Sequence, residues 1–141
     1  MLPPSFISSL KGLPGFDEQA FIQTHALKES ITSIRINTNK SFLEQPSSFF
    51  EEASPIAWCE DGHYLKERPM FVLDPLWHAG AYYVQEASSM FIQHILHHLI
   101  MDTTSIVLDL CAAPGGKSTL LANWFSDGLV VANETIKGRN A

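Results

Sequence analysis

The sequence holds only two cysteines, Cys59 and Cys111, too few for the disulfide framework of a small secreted domain. No apolar run approaches the roughly 18 residues that a membrane-spanning helix needs. The start, Met1, Leu2, Pro3 and Pro4, lacks the basic stretch and apolar core of a secretion signal. An excess of basic residues is also missing: 9 Lys and Arg stand against 15 Asp and Glu, a formal charge of −6. A protein that coats nucleic acid through its phosphates would be basic, so that class is excluded. An enzyme touching RNA through one local patch is not. Internal repeats and low-complexity tracts are absent as well. Together these point to a reducing, cytoplasmic setting. What is present is ordinary globular composition, 45% hydrophobic and 17% charged over 141 residues. That is enough for one domain or two small ones.

Residues 4–28 read as two short helices. Phe6, Ile7 and Leu10 give the first an apolar face. Phe21, Ile22 and Leu27 are the buried candidates of the second, with Gly12, Pro14 and Gly15 between them. Residues 33–38 alternate polar with apolar or β-branched side chains and read as a half-buried strand. Ser41 and Glu44 form a capping-box pattern for a helix toward Phe50, weakened by Pro46. Residues 55–59 read as a strand, turned back at Glu60, Asp61 and Gly62 toward His63, Tyr64 and Leu65. Residues 1–75 thus form a small α+β domain, and residues 76–84 an aromatic-rich connector.

A helix is predicted over residues 85–101. Phe91, Ile95 and Leu99, with Ile92, Leu96 and Ile100, make its apolar side, and Gln93, His94, His97 and His98 the opposite one. Residues 105–110 are a near-continuous apolar run ending on acid, the pattern of a parallel strand buried on both faces. A loop of small residues follows, then a helix over 117–125, a turn at Asp127 and Gly128, and a second apolar strand over 129–134. Strand, glycine loop, helix and strand make the opening βαβ unit of a doubly wound α/β sheet.

Chemistry concentrates in that loop: Asp109, Leu110, Cys111, Ala112, Ala113, Pro114, Gly115, Gly116, Lys117 and Ser118. Small residues between a strand and a helix let a ligand approach the backbone, and the helix start offers unpaired N–H groups. Glu134, 25 residues after Asp109, stands where an acid can accept both hydroxyls of a ribose. Four readings compete. A triphosphate loop fits Gly116, Lys117 and Ser118 but has Cys111 where its first glycine belongs. The dinucleotide pattern G-x-G-x-x-G is absent. S-adenosylmethionine needs no phosphate recognition and suits the same crevice. The fourth reading is a plain turn that binds nothing.

Residues 109–117 resemble the methyl-donor motif of the Nop/Sun family of RNA (cytosine-5) methyltransferases. Two further blocks agree in order and spacing. The run Gly80, Tyr82, Tyr83, Val84, Gln85, Glu86, Ala87, Ser88, Ser89 and Met90 resembles the motif that opens the family's catalytic domain. Asn133, Glu134, Lys137, Gly138 and Arg139 resemble its second donor motif. Residues 33–40 resemble a strand of the N-terminal domain in bacterial ribosomal-RNA members of the RsmF type. The resemblance implies a class I, Rossmann-like, S-adenosyl-L-methionine-dependent methyltransferase domain beginning over 76–141, after the α+β domain of residues 1–75. It places the donor on Cys111, Ala112, Ala113, Pro114, Gly115, Gly116, Lys117 and Glu134. It also implies RNA as partner, with 16S ribosomal RNA as substrate and transfer RNA as the alternative.

Family chemistry uses a cysteine thiolate on C6 of cytosine and a second cysteine to release the adduct. Both lie in motifs beyond the second strand. Cys111 and Cys59 are read as a small loop residue and a packed thiol, so no catalytic residue is assigned. A chain stopping at Ala141 is expected to be an N-terminal piece, to expose apolar sheet surface and, on its own, to be inactive and bind donor weakly. A non-catalytic RNA-binding or scaffolding role is the alternative from another class. His94 and His98, four apart on a helix, lack a third metal ligand, so no metal is assigned. Tyr82 and Tyr83 are expected to pack on the donor loop. Arg35 and Lys40 are candidates for RNA phosphate or plain surface residues.

Overall fold

The structure is a computed structural model that describes residues 2–27, 31–40, 50–99 and 102–139. The expected capping box at Ser41 and Glu44 lies outside the described residues. Contacts divide the chain into two compact units, Met1–Ser30 and Ile31–Ala141.

The first unit is a pair of helices. Helix α1, Pro4–Leu10, starts with proline in its first turn, where a missing N–H costs nothing. Helix α2, Glu18–Ala26, is capped by Asp17, whose carboxylate accepts from the Ala20 N–H at 3.0 Å. The Phe21 ring lies against Phe16 at 5.4 Å and against His25 at 4.2 Å. The expected burial is only partly met. Ile7 is buried, but Phe6, Ile22 and Leu27 are exposed. Two helices this short cannot enclose a core of their own.

The second unit opens with strand β1, Thr32–Ile36, followed by β2, Ser54–Ile56, and β3, Cys59–Leu65. A 3₁₀ turn at Phe71–Leu73 leads to the short helix α3, Pro75–His78, and then to β4, Tyr82–Val84. These strands form one antiparallel sheet in the order β2-β3-β1-β4. The last strand comes from the segment expected to be a connector. Aspartate then proline is the start signal for α3: Asp74 caps it by accepting from the Leu76 N–H at 2.9 Å. The expected turn at Glu60, Asp61 and Gly62 is instead part of β3, and the chain reverses at Ala57 and Trp58. Gly62 pairs with Arg35, and a Cβ there would lie 2.9 Å from the Met90 sulfur. The glycine serves a close approach rather than a turn.

Both faces of this sheet are covered. On one, Ile34 packs with Leu65, Phe71, Ala81 and Tyr82. On the other lies α4, Ala87–Leu99, whose Ala87 and Met90 pack on Ile56 and Cys59. Its buried face carries Ala87, Met90, Gln93 and Leu96, while Phe91, Ile95 and Leu99 are exposed. This reverses part of the expected apolar side. The reason is that α4 has two neighbours: its first half covers the first sheet and its second half packs on the elements that follow.

Those elements are β5, Ile106–Asp109, α5, Gly116–Trp124, and β6, Leu129–Ala132. The two strands are parallel, Ile106 opposite Leu129 and Asp109 opposite Ala132. The α4 residues Ile92 and Leu96, the α5 residues Leu120 and Leu121, and Val107 and Val130 share one cluster with Phe125. The other face is bare. Ile106 is 77% and Leu108 56% exposed, with Leu129 and Val131 exposed beside them. The strands are therefore covered on one face, where Val107 and Val130 are half-buried, and not buried on both as their composition predicts; the apolar surface expected of a two-stranded start is present.

Gly128 joins α5 to β6 against the preceding loop. A Cβ there would meet the Ser105 carbonyl oxygen at 2.3 Å, a backbone atom that cannot swing aside. Gly128→Ala is expected to destabilise the protein by about 1–3 kcal/mol through overpacking. Urea unfolding measures it, and a loss below about 0.5 kcal/mol, the ordinary surface range, would contradict the close approach.

Candidate ligand-binding loop

The loop between β5 and α5 is held at every step by its own chain. Asp109 accepts from the Cys111 N–H at 3.1 Å through one oxygen and from the Ser118 hydroxyl at 2.6 Å through the other. This closes the strand end onto the helix. The Ala112 N–H donates to the Asn133 carbonyl at 3.0 Å, and the Ala113 N–H to Glu134 at 3.3 Å. The Ala113–Pro114 peptide is cis. Gly115 precedes α5 with φ +106°, a backbone state that side-chain-bearing residues rarely adopt. The N–H groups of Gly116, Lys117 and Ser118 then form the first turn, the donor-rich end of a helix.

The facing wall comes from β4 and the start of α4. The Tyr83 hydroxyl donates to the Pro114 carbonyl at 2.7 Å. Tyr82, on the alternate face of β4, turns into the first core and donates to Asp74 at 2.6 Å. Of the two tyrosines expected against the loop, only Tyr83 reaches it, because neighbouring residues of a strand point to opposite faces. A cavity of about 180 Å³ lies between the walls, with Cys111, Ala112, Ala113, Pro114, Gly116 and Lys117 on one side and Tyr83, Gln85, Glu86 and Ser89 on the other. A Cβ on Gly116 would come within 3.4 Å of both Tyr83 and Gln85, so the glycine keeps this space open.

Gly115 and Glu134 are not among the residues that line this cavity. The Ile136 N–H at 2.9 Å, aided by the Ala113 N–H and Arg139, holds the Glu134 carboxyl below the usual range. Glu134 is thus an ionised acceptor at neutral pH. Arg139 also donates to the Ala113 carbonyl at 3.2 Å, tying the segment after β6 to the loop. The residues that sequence reading left out of the site are Gln85, Glu86 and Ser89. They lie in the block 80–90 already singled out, and its polar pair Gln85 and Glu86 was the available signal.

Arg35 lies away from solvent, only 2% exposed. Its Nε donates to the Gln85 side-chain oxygen at 3.0 Å and its Nη2 to the Thr119 hydroxyl at 2.7 Å. Burial lowers its pKa, partly offset by Cys59, Asp61 and Tyr83. It therefore braces β1 against α5 and, almost without exposed surface, is not a surface contact for phosphate. Lys40 donates to the Ala79 carbonyl. Arg35 is turned inward because β1 is an inner strand covered on both faces, whereas Lys40 lies beyond β1 and is half-buried.

The structure also shows the contacts of the other candidates. His94 and His98 share a 2.9 Å contact between their Nε2 atoms. Among the described residues no group of three or more His, Cys, Asp or Glu is placed to hold a metal. Ser118, which a triphosphate loop would place on a magnesium ion, has its hydroxyl on Asp109. A larger cavity, about 310 Å³, lies elsewhere, between Arg35, Asp61, His97 and Trp124. It has no glycine loop and no helix start. No helix among the described residues is long and apolar enough to cross a membrane.

Residues 2–87 match the model of a family described as the N-terminal domain of 16S rRNA methyltransferase RsmF. Ribosomal RNA small subunit methyltransferase F of Shewanella loihica is 35% identical over 148 residues, spanning 98% of this chain and 30% of that protein. The protein of the same name from Psychromonas ingrahamii is 34% identical over 151 residues, spanning 98% and 31%. That from Pectobacterium atrosepticum is 38% identical over 111 residues, spanning 72% and 23%. The chain thus spans about a quarter to a third of the length of these relatives. The crystal structure of PH0851 superposes with a TM-score of 0.76 at 26% identity, covering 97% of this chain and 31% of that one.

The two thiols differ sharply in setting. Cys59 is 2% exposed and burial, with Asp61 nearby, pushes its thiol up, whereas Cys111 is exposed in the loop. Iodoacetamide acts on the thiolate. Mass spectrometry of the native protein should find Cys111 alkylated and Cys59 unmodified until denaturant is added. Equal rates at both would overturn this placement.

Proposed function

The chain belongs to the RsmF family of Nop/Sun-type ribosomal RNA methyltransferases, and on that premise we propose that it carries the family's N-terminal domain and the donor-binding start of its catalytic domain. The donor is S-adenosyl-L-methionine, the substrate 16S ribosomal RNA, and the atom modified C5 of a cytosine. In this reading an α+β part over residues 1–75 precedes the opening of a class I, Rossmann-like methyltransferase domain over 76–141, with β4 of the second part paired to β1 of the first. One observation carries the reading: a parallel βαβ unit presents a glycine-kept cavity at the start of α5, at the carboxyl end of β5, where α/β proteins bind ligands.

The chain's own groups would act as follows. Gly116 leaves room for the ligand, and the first-turn N–H groups of α5 meet its polar atoms. Glu134, ionised and already anchored to Ala113 and Ile136, accepts the ribose hydroxyls. Tyr83 holds the loop in shape through Pro114. The bound donor supplies a methyl group on a sulfonium. Cytosine C5 becomes nucleophilic only when a thiolate adds at C6, and the target base must leave its stack to be reached. Cys59 is sealed in the core and Cys111 belongs to the donor loop, so neither takes that part. The thiolates are assigned to the portion of the relatives' length that this chain does not span.

Transfer of labelled methyl from S-adenosylmethionine to 16S ribosomal RNA by the natural-length gene product is the expected activity. Failure to methylate any ribosomal RNA would refute the substrate assignment. In the same protein Glu134→Ala should weaken donor binding by about tenfold or more, the scale of a charge-assisted hydrogen bond. Unchanged affinity by calorimetry would remove Glu134 from the site.

A further inference from the structure

The chain carries a net charge of −6, yet one recess beside the first sheet is lined by cations and by no carboxylate. It has a volume of about 170 Å³ and lies between the end of β1, the start of β4 and α5, with Arg35, Asn37, Lys40, Thr119 and Asn123 in its wall. Arg35 brings a charge that no carboxylate among the described residues pairs at close range. Lys40 is half-buried, and its ammonium donates to the Ala79 carbonyl, its one hydrogen bond among the described residues. An ammonium has three protons to give, so two remain for a ligand. Gly80, with φ +68°, permits this placement: a Cβ there would lie 3.2 Å from the Lys40 Nζ. Two cations lining one recess without a counter-charge repel each other, and an anion bound there offsets that cost.

Size and surroundings say which anion. The recess is smaller than the roughly 300 Å³ at which small-molecule pockets begin, so it admits a compact group such as a phosphate and not a whole nucleotide. Tyr83 lines both this recess and the cavity at the small-residue loop, so a phosphate held here lies next to the candidate donor site. One turn before Gly80 along the chain, Trp77 is 38% exposed, and its carbonyl accepts from the Gly80 N–H at 3.0 Å. The His78 ring stands edge-on to the indole at 4.9 Å. Positive charge for the backbone beside an exposed ring for a base is how proteins hold single-stranded nucleic acid. We propose that the recess binds a backbone phosphate of the substrate RNA through Lys40, with Arg35 lending its charge from the wall, and that a neighbouring base stacks on Trp77. The assignment rests on the ribosomal RNA reading above and adds where the strand is held. A chain with an excess of acid thus meets RNA through one local patch.

The test is the affinity of the natural-length gene product for a 16S ribosomal RNA transcript, by filter binding over a range of salt. Lys40→Gln should weaken binding at least about fivefold and reduce the slope of log affinity against log salt by about 0.7, the loss of one single-strand phosphate contact. Lys40→Arg should keep both. Trp77→Ala should weaken binding at least about fivefold with the slope unchanged, because stacking releases no counterion. Affinity for S-adenosylhomocysteine should be unaltered in every variant. In the unmodified protein, acetylation of Lys40 by an amine reagent, read by mass spectrometry against Lys66 as reference, should be slowed by the transcript and not by inorganic phosphate at equal ionic strength. That measurement decides the matter if the variants misfold. Unchanged RNA affinity in Lys40→Gln or Trp77→Ala, a Lys40→Gln loss with an unchanged slope, or a Lys40 left equally reactive by RNA would overturn the assignment while leaving the RNA reading intact. Protection by inorganic phosphate as strong as by RNA would overturn it too, as a recess for a free anion. An unmodified protein that does not bind the transcript would remove the RNA reading and this assignment with it.

Discussion

The fold turns on one buried cation. Arg35 sits in an inner strand with almost no solvent contact and, among the described residues, no carboxylate at ion-pairing distance. Burying a guanidinium is costly, and hydrogen bonds to a charged group are among the stronger ones available to repay that cost. Its two partners are placed far apart in sequence: Gln85 just after β4 and Thr119 in the second turn of α5. The side chain therefore fixes the first sheet against the helix that follows the small-residue loop. Ser33 adds to the same seam, its hydroxyl donating to the Gln85 carbonyl at 2.6 Å. Asn39 reaches Asn123 near the other end of α5.

The distribution of burial follows from the same geometry. Helix α4 is shared: Met90 is wholly enclosed against the first sheet, and Leu96 packs on α5. A helix with partners at both ends needs apolar residues on more than one stripe. That is why Phe91, Ile95 and Leu99 could look like a core face and yet lie exposed. Gln93 is buried among polar partners, taking the Cys59 thiol and facing Asp61.

Much of this was legible in the residues and some was not. Continuous apolar strands and a loop of alanines and glycines announced β5, α5 and β6, because parallel strands and close backbone approach demand those residue types. The motif block 80–90 was visible, but its strand was hidden in an aromatic stretch that reads as a connector. Gly62 looked like a turn because the sequence cannot separate a glycine chosen for reversal from one chosen for clearance beneath Met90. Arg35 looked like surface because alternation places polar residues outward, which holds only for a sheet with one covered face. Within the loop, the backbone roles of Ala112 and Ala113 depend on partners at Asn133 and Glu134 that only folding brings near.

The Tyr83 bond to Pro114 joins two segments that are separated by a whole helix in the chain. The cavity is consequently a joint product of the first sheet and the βαβ unit, not a property of the latter. Transplanting residues 105–139 into a foreign scaffold would carry over the loop's sequence but leave behind its far wall. A graft that preserved the pocket would have to bring along the stretch from β1 through the first turns of α4.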